Sequence, residues 1–351
     1  MTEPTPTAPA STVFYSEEYY RTLVERFGYS TFDLQRFDFA LAGMKHDELN
    51  LRYLCHHRAN QFIATAPHRR IVTTGFGMSG PPHMASTSQI MKMVRLQQGG
   101  ERCQIVLGDL DAYNGRTRSY GYTRELAERF RTFATRLGFD TATGVLRDQT
   151  GHAEALTTMY LLGRYAEDAD FDTAEEDNHA YYAARGLVDP TMTFRRRLSL
   201  ALMAADFVSL GQTHDAVLVL LGIDEHKYVR FAQRVAERFD QHVPLCGDFI
   251  LSAIYTRLTT GFNGHPKSSK SIPGSGITVE TPTNEIRRLV RADQAKNPAL
   301  SPVYQLMYQM SYTSYEDLLD IHQACTEGTP RWKTEKEHFI EFLAHVKELW
   351  P

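Results

Sequence analysis

Cysteine, charge of one sign and long apolar runs are all scarce in this 351-residue chain. Its four cysteines, Cys55, Cys103, Cys246 and Cys325, are widely scattered, and none forms a CxxC pair. That excludes a zinc knuckle or a dense disulfide frame and leaves reduced, mostly buried thiols as the expectation. No apolar run reaches the ~18 residues that span a bilayer, so no membrane segment is expected. The start, "MTEPTPTAPAST", lacks the basic and apolar blocks of a secretory signal. Its Pro, Thr and Ala content predicts a disordered tail over 1–15 and, with no signal, a cytoplasmic protein. A formal net charge of −4 excludes a global basic field, though not a local basic patch. What is present is 42% apolar and 23% charged residues, enough to bury a real core.

"SEEYYRTLVERFG" carries helix start and stop signals: Ser, then acids, then a closing Gly. "HDELNLRYLCHHRANQFIATA" reads as a second helix that ends before Pro67, completing an N-terminal helical segment over 16–66. Its pair His56–His57 cannot easily share one metal ion, because adjacent helical residues point about 100° apart. From residue 67 strands alternate with helices. "IVTTGF", "CQIVLGDL" (with Asp109 near its end) and "AVLVLLGID" read as buried strands. "YTRELAERFRTFATRLGFD" is amphipathic, with Leu126, Phe130, Phe133 and Leu137 at helical spacing and Gly138 placed to end it. "FRRRLSLALMAADFV" and "KYVRFAQRVAERF" are also helical. "EDADFDTAEED", from Glu167 to Asp177, lacks calcium-loop spacing and reads as a solvated insertion. From Thr283 onward only helical patterns occur, including "EHFIEFLAHVKELW". The expected fold is α/β: a doubly wound parallel sheet over 67–279 with N-terminal helices and a C-terminal helical domain over 280–351.

Ligands of such sheets sit at the carboxyl ends of strands. The junctions "TGFGMSGPPH", "GDLDAY" and "LGIDEH" carry glycines or carboxylates that a packed core would not need. A further stretch, "HPKSSKSIPGSG", places Lys267 and Lys270 among small hydroxyl residues. It lacks the Walker spacing and has the composition of an exposed loop. Two ammonium groups on a mobile loop can also close over a polyphosphate and neutralise charge that develops as a phosphate leaves.

Taken together, "SGPPHMAS" between a strand and a helix, and "KSSKS" far downstream, resemble the two signatures of class I aminoacyl-tRNA synthetases. Those are His-Ile-Gly-His and Lys-Met-Ser-Lys-Ser; here they read His83-Met84-Ala85-Ser86 and Lys267-Ser268-Ser269-Lys270-Ser271. "YYRTLVERFGYSTFD", "TTGFGMSG", "GIDEHKYVRFAQRVAERF", "KSSKSIPGSGITVETPTNEIRRLV" and "CTEGTPRWKTEKEHFIEFL" resemble, in order, segments of tryptophanyl-tRNA synthetases of the archaeal and eukaryotic type. Tyrosyl-tRNA synthetases are their close relatives. The resemblance implies a Rossmann catalytic core, usually in a homodimer, that makes an aminoacyl adenylate from ATP with Mg²⁺ and transfers the amino acid to tRNA. By the same resemblance His83, Lys267 and Lys270 act in catalysis. Gly75, Gly80, Ser86, Gly222, Asp224 and Ser269 join them around ATP. Thr73, Val106, Asp111, Met203, Asp206 and Glu225 face the amino acid. No metal-ligating protein residues are implied.

The chain departs from that pattern at several points. The second signature histidine is Ser86 and the signature glycine is Ala85. Glu225 stands where a Gly-x-Asp-Gln motif has glutamine, and Asp111 where the family has another acidic ligand for the amine. Thr73 and Val106 replace a tyrosine and a glutamine that bind the indole NH. Asp206 matches an aspartate that contacts that NH in bacterial-type enzymes, and equally suits a buried, hydrogen-bonded helix position. "EIRRLVR" offers Arg287, Arg288 and Arg291 to tRNA, although a solvated helix face accounts for them as well. These changes leave a second reading, an enzyme that passes the activated amino acid to a non-tRNA acceptor.

Overall fold

The computed structural model describes residues 15–33, 39–242, 249–269 and 272–351. The tail over 1–14 and Cys246 lie outside them; Cys55, Cys103 and Cys325 are free and buried. Helix α1 (Glu17–Phe27) begins where the Ser16 hydroxyl accepts from the Tyr19 N–H at 3.1 Å, and ends at Gly28 in the left-handed region. The single helix expected over 46–66 is instead α2 (His46–Arg52), a short strand β1 (Cys55–His57) and α3 (Ala59–Ala64). The strand exists because Cys55, His56 and His57 pair antiparallel with residues 253–255, some two hundred positions away. No local periodicity announces such a pairing. His56 is buried, and burial pushes its pKa down to about 4.

The alternating core runs β2 (Arg70–Gly77), α4 (Met84–Gln98), β3 (Cys103–Gly108), α5 (Asp109–Gly115), α6 (Tyr120–Arg136) and β4 (Val145–Asp148). It continues through α7 (Ala153–Leu162), α8 (Asp168–Asp172), α9 (His179–Ala183), α10 (Phe194–Val208), β5 (Ala216–Gly222), α11 (His226–His242) and β6 (Ile250–Thr256). The sheet order is β1-β6-β5-β2-β3-β4, parallel except for the edge strand β1. β3 is buried along its whole length, as a parallel strand covered on both faces must be.

Alternate residues feed two apolar layers. Val72, Ile105, Leu218 and Ile254 pack on one face with α4 and α6. Ile71, Val217, Val219 and Ala253 pack on the other with α1, α10 and α11. This is the period-two signature of a sheet covered on both sides. The order reverses between β2 and β5, whose carboxyl ends both open on one crevice. The chain ends in four helices: α12 (Thr283–Ala292), α13 (Pro302–Gln309), α14 (Tyr315–Glu327) and α15 (Pro330–Glu348). α13 packs on α4, so the helical region leans on the element that starts at the first signature. Among the described residues no helix is long and apolar enough to cross a membrane.

Candidate active site

The strand β2 delivers its chain into "SGPPHMAS", and α4 starts inside it. His83 is the N-cap, with its Nδ1 accepting from the Ser86 N–H at 3.0 Å and its Nε2 3.3 Å from the Ser86 hydroxyl. The imidazole thus satisfies one of the helix's own terminal donors. The loop is also pinned to chain that follows the second signature. Met84 N–H donates to Ile277 O at 2.8 Å, and Val279 N–H donates to Pro82 O at 3.1 Å. Two motifs almost two hundred residues apart are therefore neighbours by backbone pairing.

The second loop is tightly folded. A Cβ on Gly276 would lie 2.2 Å from the Ser268 hydroxyl and push it aside, and one on Gly261 would lie 2.7 Å from the Lys267 carbonyl and move the loop backbone. Ser268 N–H donates to Thr259 O at 2.9 Å, and Thr260 N–H donates to the Gln305 side chain on α13 at 2.6 Å. This geometry turns Lys267 inward. Its Nζ donates to Asp224 Oδ2 at 2.5 Å, lies 3.9 Å from Glu176 Oε2, and sits 5.2 Å from the centre of the Tyr182 ring. Burial opposes the ammonium, but Asp224, Tyr182 and Glu176 outweigh it and raise the Lys267 pKa well above its ordinary value. Burial likewise raises the Asp224 carboxyl, with Lys267 working against it. For Glu176 the balance tips the other way: burial is overcome by Lys267 and Arg116, and its pKa is lowered.

These groups line a cavity of about 270 Å³ at the carboxyl ends of β2, β3 and β5. Gly75, His83, Ser86, Gly222, Asp224, Lys267 and Ser269 are all on its wall, as are Val106, Asp111, Met203, Asp206 and Glu225. Thr73 and Gly80 are not. Thr73 lies two residues before Gly75 on β2, fully buried, where its hydroxyl accepts from the Gln104 amide at 3.2 Å. Lys270 lies outside the described residues. The far end of the cavity carries a closed polar chain. Arg147 donates to Asp206 Oδ1 at 2.8 Å and Gln149 to Asp206 Oδ2 at 2.7 Å, while Gln149 Oε1 accepts from the Asp111 N–H at 2.9 Å. Burial raises the Asp206 pKa, and Arg147 and Gln149 offset part of that rise.

The chain's sequence matches the family model for "tRNA synthetases class I (W and Y)" over residues 66–155 and 198–349, more than half of its length. The chain belongs to this family. Family membership makes it a ligase. Among curated proteins it is 24% identical over 259 residues to a tyrosine–tRNA ligase of Methanobrevibacter smithii, covering 71% of this chain and 73% of that one. It is 23% identical over 304 residues to a tryptophan–tRNA ligase of Methanocaldococcus jannaschii, covering 79% and 77%. Among solved structures, tryptophanyl-tRNA synthetase of Aeropyrum pernix superposes with a TM-score of 0.76 at 18% identity, over 95% of this chain and 94% of that one. Tyrosyl-tRNA synthetase of Archaeoglobus fulgidus superposes at 0.67 and 18% identity, over 86% and 97%. These structural likenesses carry the fold, a Rossmann-like class I core.

The acidic stretch of this synthetase is solvated only in part: Glu167, Asp168 and Asp172 are exposed, but other acids turn inward. Asp170 is buried and accepts from Arg234 Nε at 3.2 Å and from Arg238. Glu176 accepts from Arg116 at 3.2 Å, and Asp177 pairs with Lys227 at 2.6 Å. Nearby, Arg196 donates twice to Glu175 at 3.0 Å and to the Tyr228 hydroxyl at 2.9 Å. Arg116, Gln149, Glu176, Tyr182 and Arg196 on the cavity wall escape a reading of the sequence, because their partners lie tens of residues away. The one local hint is Arg234 and Arg238, four apart on α11 and aimed at the same carboxylate.

The arginines of α12 are held on the surface. Arg287 pairs with Glu341, Arg288 with Glu285, and Arg291 with Glu337.

Proposed function

We propose that this synthetase activates an amino acid with ATP, forming an aminoacyl adenylate and pyrophosphate in the cavity between the two signature loops. The observation that carries the reading is Lys267. A buried lysine, ion-paired with Asp224 at the end of β5, stands in the same cavity as the N-terminus of α4. A cation and a helix N-terminus that converge on one crevice suit a polyphosphate.

In this reading a carboxylate oxygen of the amino acid attacks the α-phosphorus of ATP. The new carboxyl–phosphate bond forms as the bond to the β-phosphate bridging oxygen breaks, and pyrophosphate leaves with that electron pair. No protein nucleophile is needed; orientation and charge stabilisation supply the rate. Lys267, with Lys270, would neutralise charge building on the pyrophosphate. Asp224 would hold the ribose, and Asp111 and Glu225 the α-amino group. Among the described residues no group of three or more His, Cys, Asp or Glu side chains is placed to hold a metal ion. Mg²⁺ would enter with the ATP phosphates and supply further charge neutralisation.

The side-chain end of the cavity argues for a neutral amino acid. Val106, Met203 and Phe207 line it, and the charge of Asp206 is already met by Arg147. A cationic side chain would compete with Arg147, and an anionic one would face Asp206. Amino-acid-dependent ATP–pyrophosphate exchange with a panel of amino acids tests this. Exchange should occur with neutral members, at least ten-fold faster (about 1.4 kcal/mol) than with Lys, Arg, Asp or Glu. No exchange with any amino acid overturns the reading. We propose tRNA as the acceptor, on the strength of the family; acylation of total tRNA by the exchange-positive amino acid tests that step.

A further inference from the structure

The two stretches that match the family model leave residues 156–197 between them. This intervening segment is not peripheral to the cavity. Glu176 bonds Arg116 and lies 3.9 Å from Lys267. Tyr182 presents its ring to the same ammonium at 5.2 Å, and its hydroxyl lies 3.2 Å from the Ser269 hydroxyl. Asp177 N–H donates to Asp224 O at 3.1 Å, and Asn178 donates to Asp224 Oδ2 at 3.3 Å. The segment therefore touches the lysine, the lysine's carboxylate and the signature loop. Lys267 is left only 13% exposed.

A lysine so enclosed has its charge already answered. The direct bond at Nζ is to Asp224, at 2.5 Å, and Glu176 stands 3.9 Å away as a second anion, which a polyphosphate arriving at the lysine meets as a like charge. We propose that Glu176 and Tyr182 are positioning residues that hold Lys267 in a resting site, so that ATP binds by taking the place of Glu176, the more distant of the lysine's two carboxylate neighbours, while Asp224 stays bonded to it. This rests on the adenylate-forming reading above and adds to it a chain-specific control of ATP affinity, exerted at the phosphate end.

The test is equilibrium binding of ATP, and separately of AMP, to wild type, Glu176→Gln and Tyr182→Phe in the presence of Mg²⁺. Glu176→Gln removes the competing charge and keeps the hydrogen-bonding shape. Tyr182→Phe keeps the ring over the ammonium and loses only the tie to Ser269. The ATP Kd should fall roughly three- to ten-fold in Glu176→Gln and about two-fold in Tyr182→Phe. AMP, which lacks the β- and γ-phosphates, should gain nothing. A variant that merely loosened the fold would bind ATP more weakly, so a gain in affinity is not a structural side effect. An ATP Kd that is unchanged or raised in Glu176→Gln overturns the proposal, as does an equal gain for AMP. Should Glu176→Gln fail to fold, an unchanged or raised Kd in Tyr182→Phe overturns it. If none of the three proteins binds ATP, the adenylate-forming reading itself falls, and the resting site with it.

Discussion

Two charged stretches of this synthetase meet opposite fates. Asp170, Glu176 and Asp177 are drawn inward, and Glu176 ends at the cavity wall with a side chain 9% exposed. Arg287, Arg288 and Arg291, on α12, stay outside with side chains 47%, 56% and 58% exposed. Both sets are fully ion-paired, so pairing alone does not separate them. Burial does. Charges taken from water must be met by well-placed partners or they destabilise the fold, whereas exposed pairs trade water for each other at little net gain. The inward stretch therefore ends on the cavity wall and bears on stability, whereas the outward pairs lie on the surface and bear on stability little.

Cutting the buried network at its centre should have the largest effect. Lys267→Ala removes the cation that Asp224 and Glu176 share and should slow pyrophosphate exchange at least about 100-fold, measured at saturating ATP. A rate within a few-fold of wild type would dissociate the network from the chemistry. Next is Asp170→Ala, which strands Arg234 and Arg238 over the same spot. It should lower the melting temperature by about 4 °C.

Asp177 supplies an acid-side test of the same network. Burial works against its carboxylate, but the nearby His226, 3.7 Å away, and direct contacts from Lys227 and Tyr19 lower its pKa to about 2. A depressed carboxyl pKa stabilises the fold above the unfolded value near 4, and that contribution is lost as pH falls through 2. The stability gap between wild type and Asp177→Asn, about 2 kcal/mol at neutral pH, should close between pH 4 and pH 2 in denaturant titrations. A gap that stays constant would mean that folding does not shift the Asp177 pKa and that its ion pairing is not the source of the stability. The smallest effect belongs to the surface: Arg291→Ala breaks a 2.6 Å pair yet should melt within about 1 °C of wild type. A larger shift there would erase the contrast between the two stretches.

The same contrast explains how much could be read from sequence. β2, β3 and β5 declare themselves by continuous β-branched and aliphatic runs, and α6 and α10 by their periodicity, because each signal lies within one window. β1 does not, since Cys55, His56 and His57 become a strand only against Tyr255, Ile254 and Ala253. The two signatures are legible as motifs. Their meeting is not, because it depends on Met84 pairing with Ile277 and Val279 with Pro82. The acidic stretch misleads most. Acidic composition describes a solvated loop and a buried ion network equally, and the arginines and lysines that decide between them enter from the residue that closes α5 (Arg116), from α11 and from the second signature loop.

The most direct measurement is mass spectrometry of the product bound to wild-type protein after incubation with ATP, Mg²⁺ and a mixture of the twenty amino acids. The account predicts an aminoacyl-AMP whose amino acid has a neutral side chain, and no such species from Lys267→Ala. An adenylate of a charged amino acid would contradict the assignment of Arg147 and Asp206. Recovery of unreacted ATP alone would contradict the central claim that this cavity makes an adenylate.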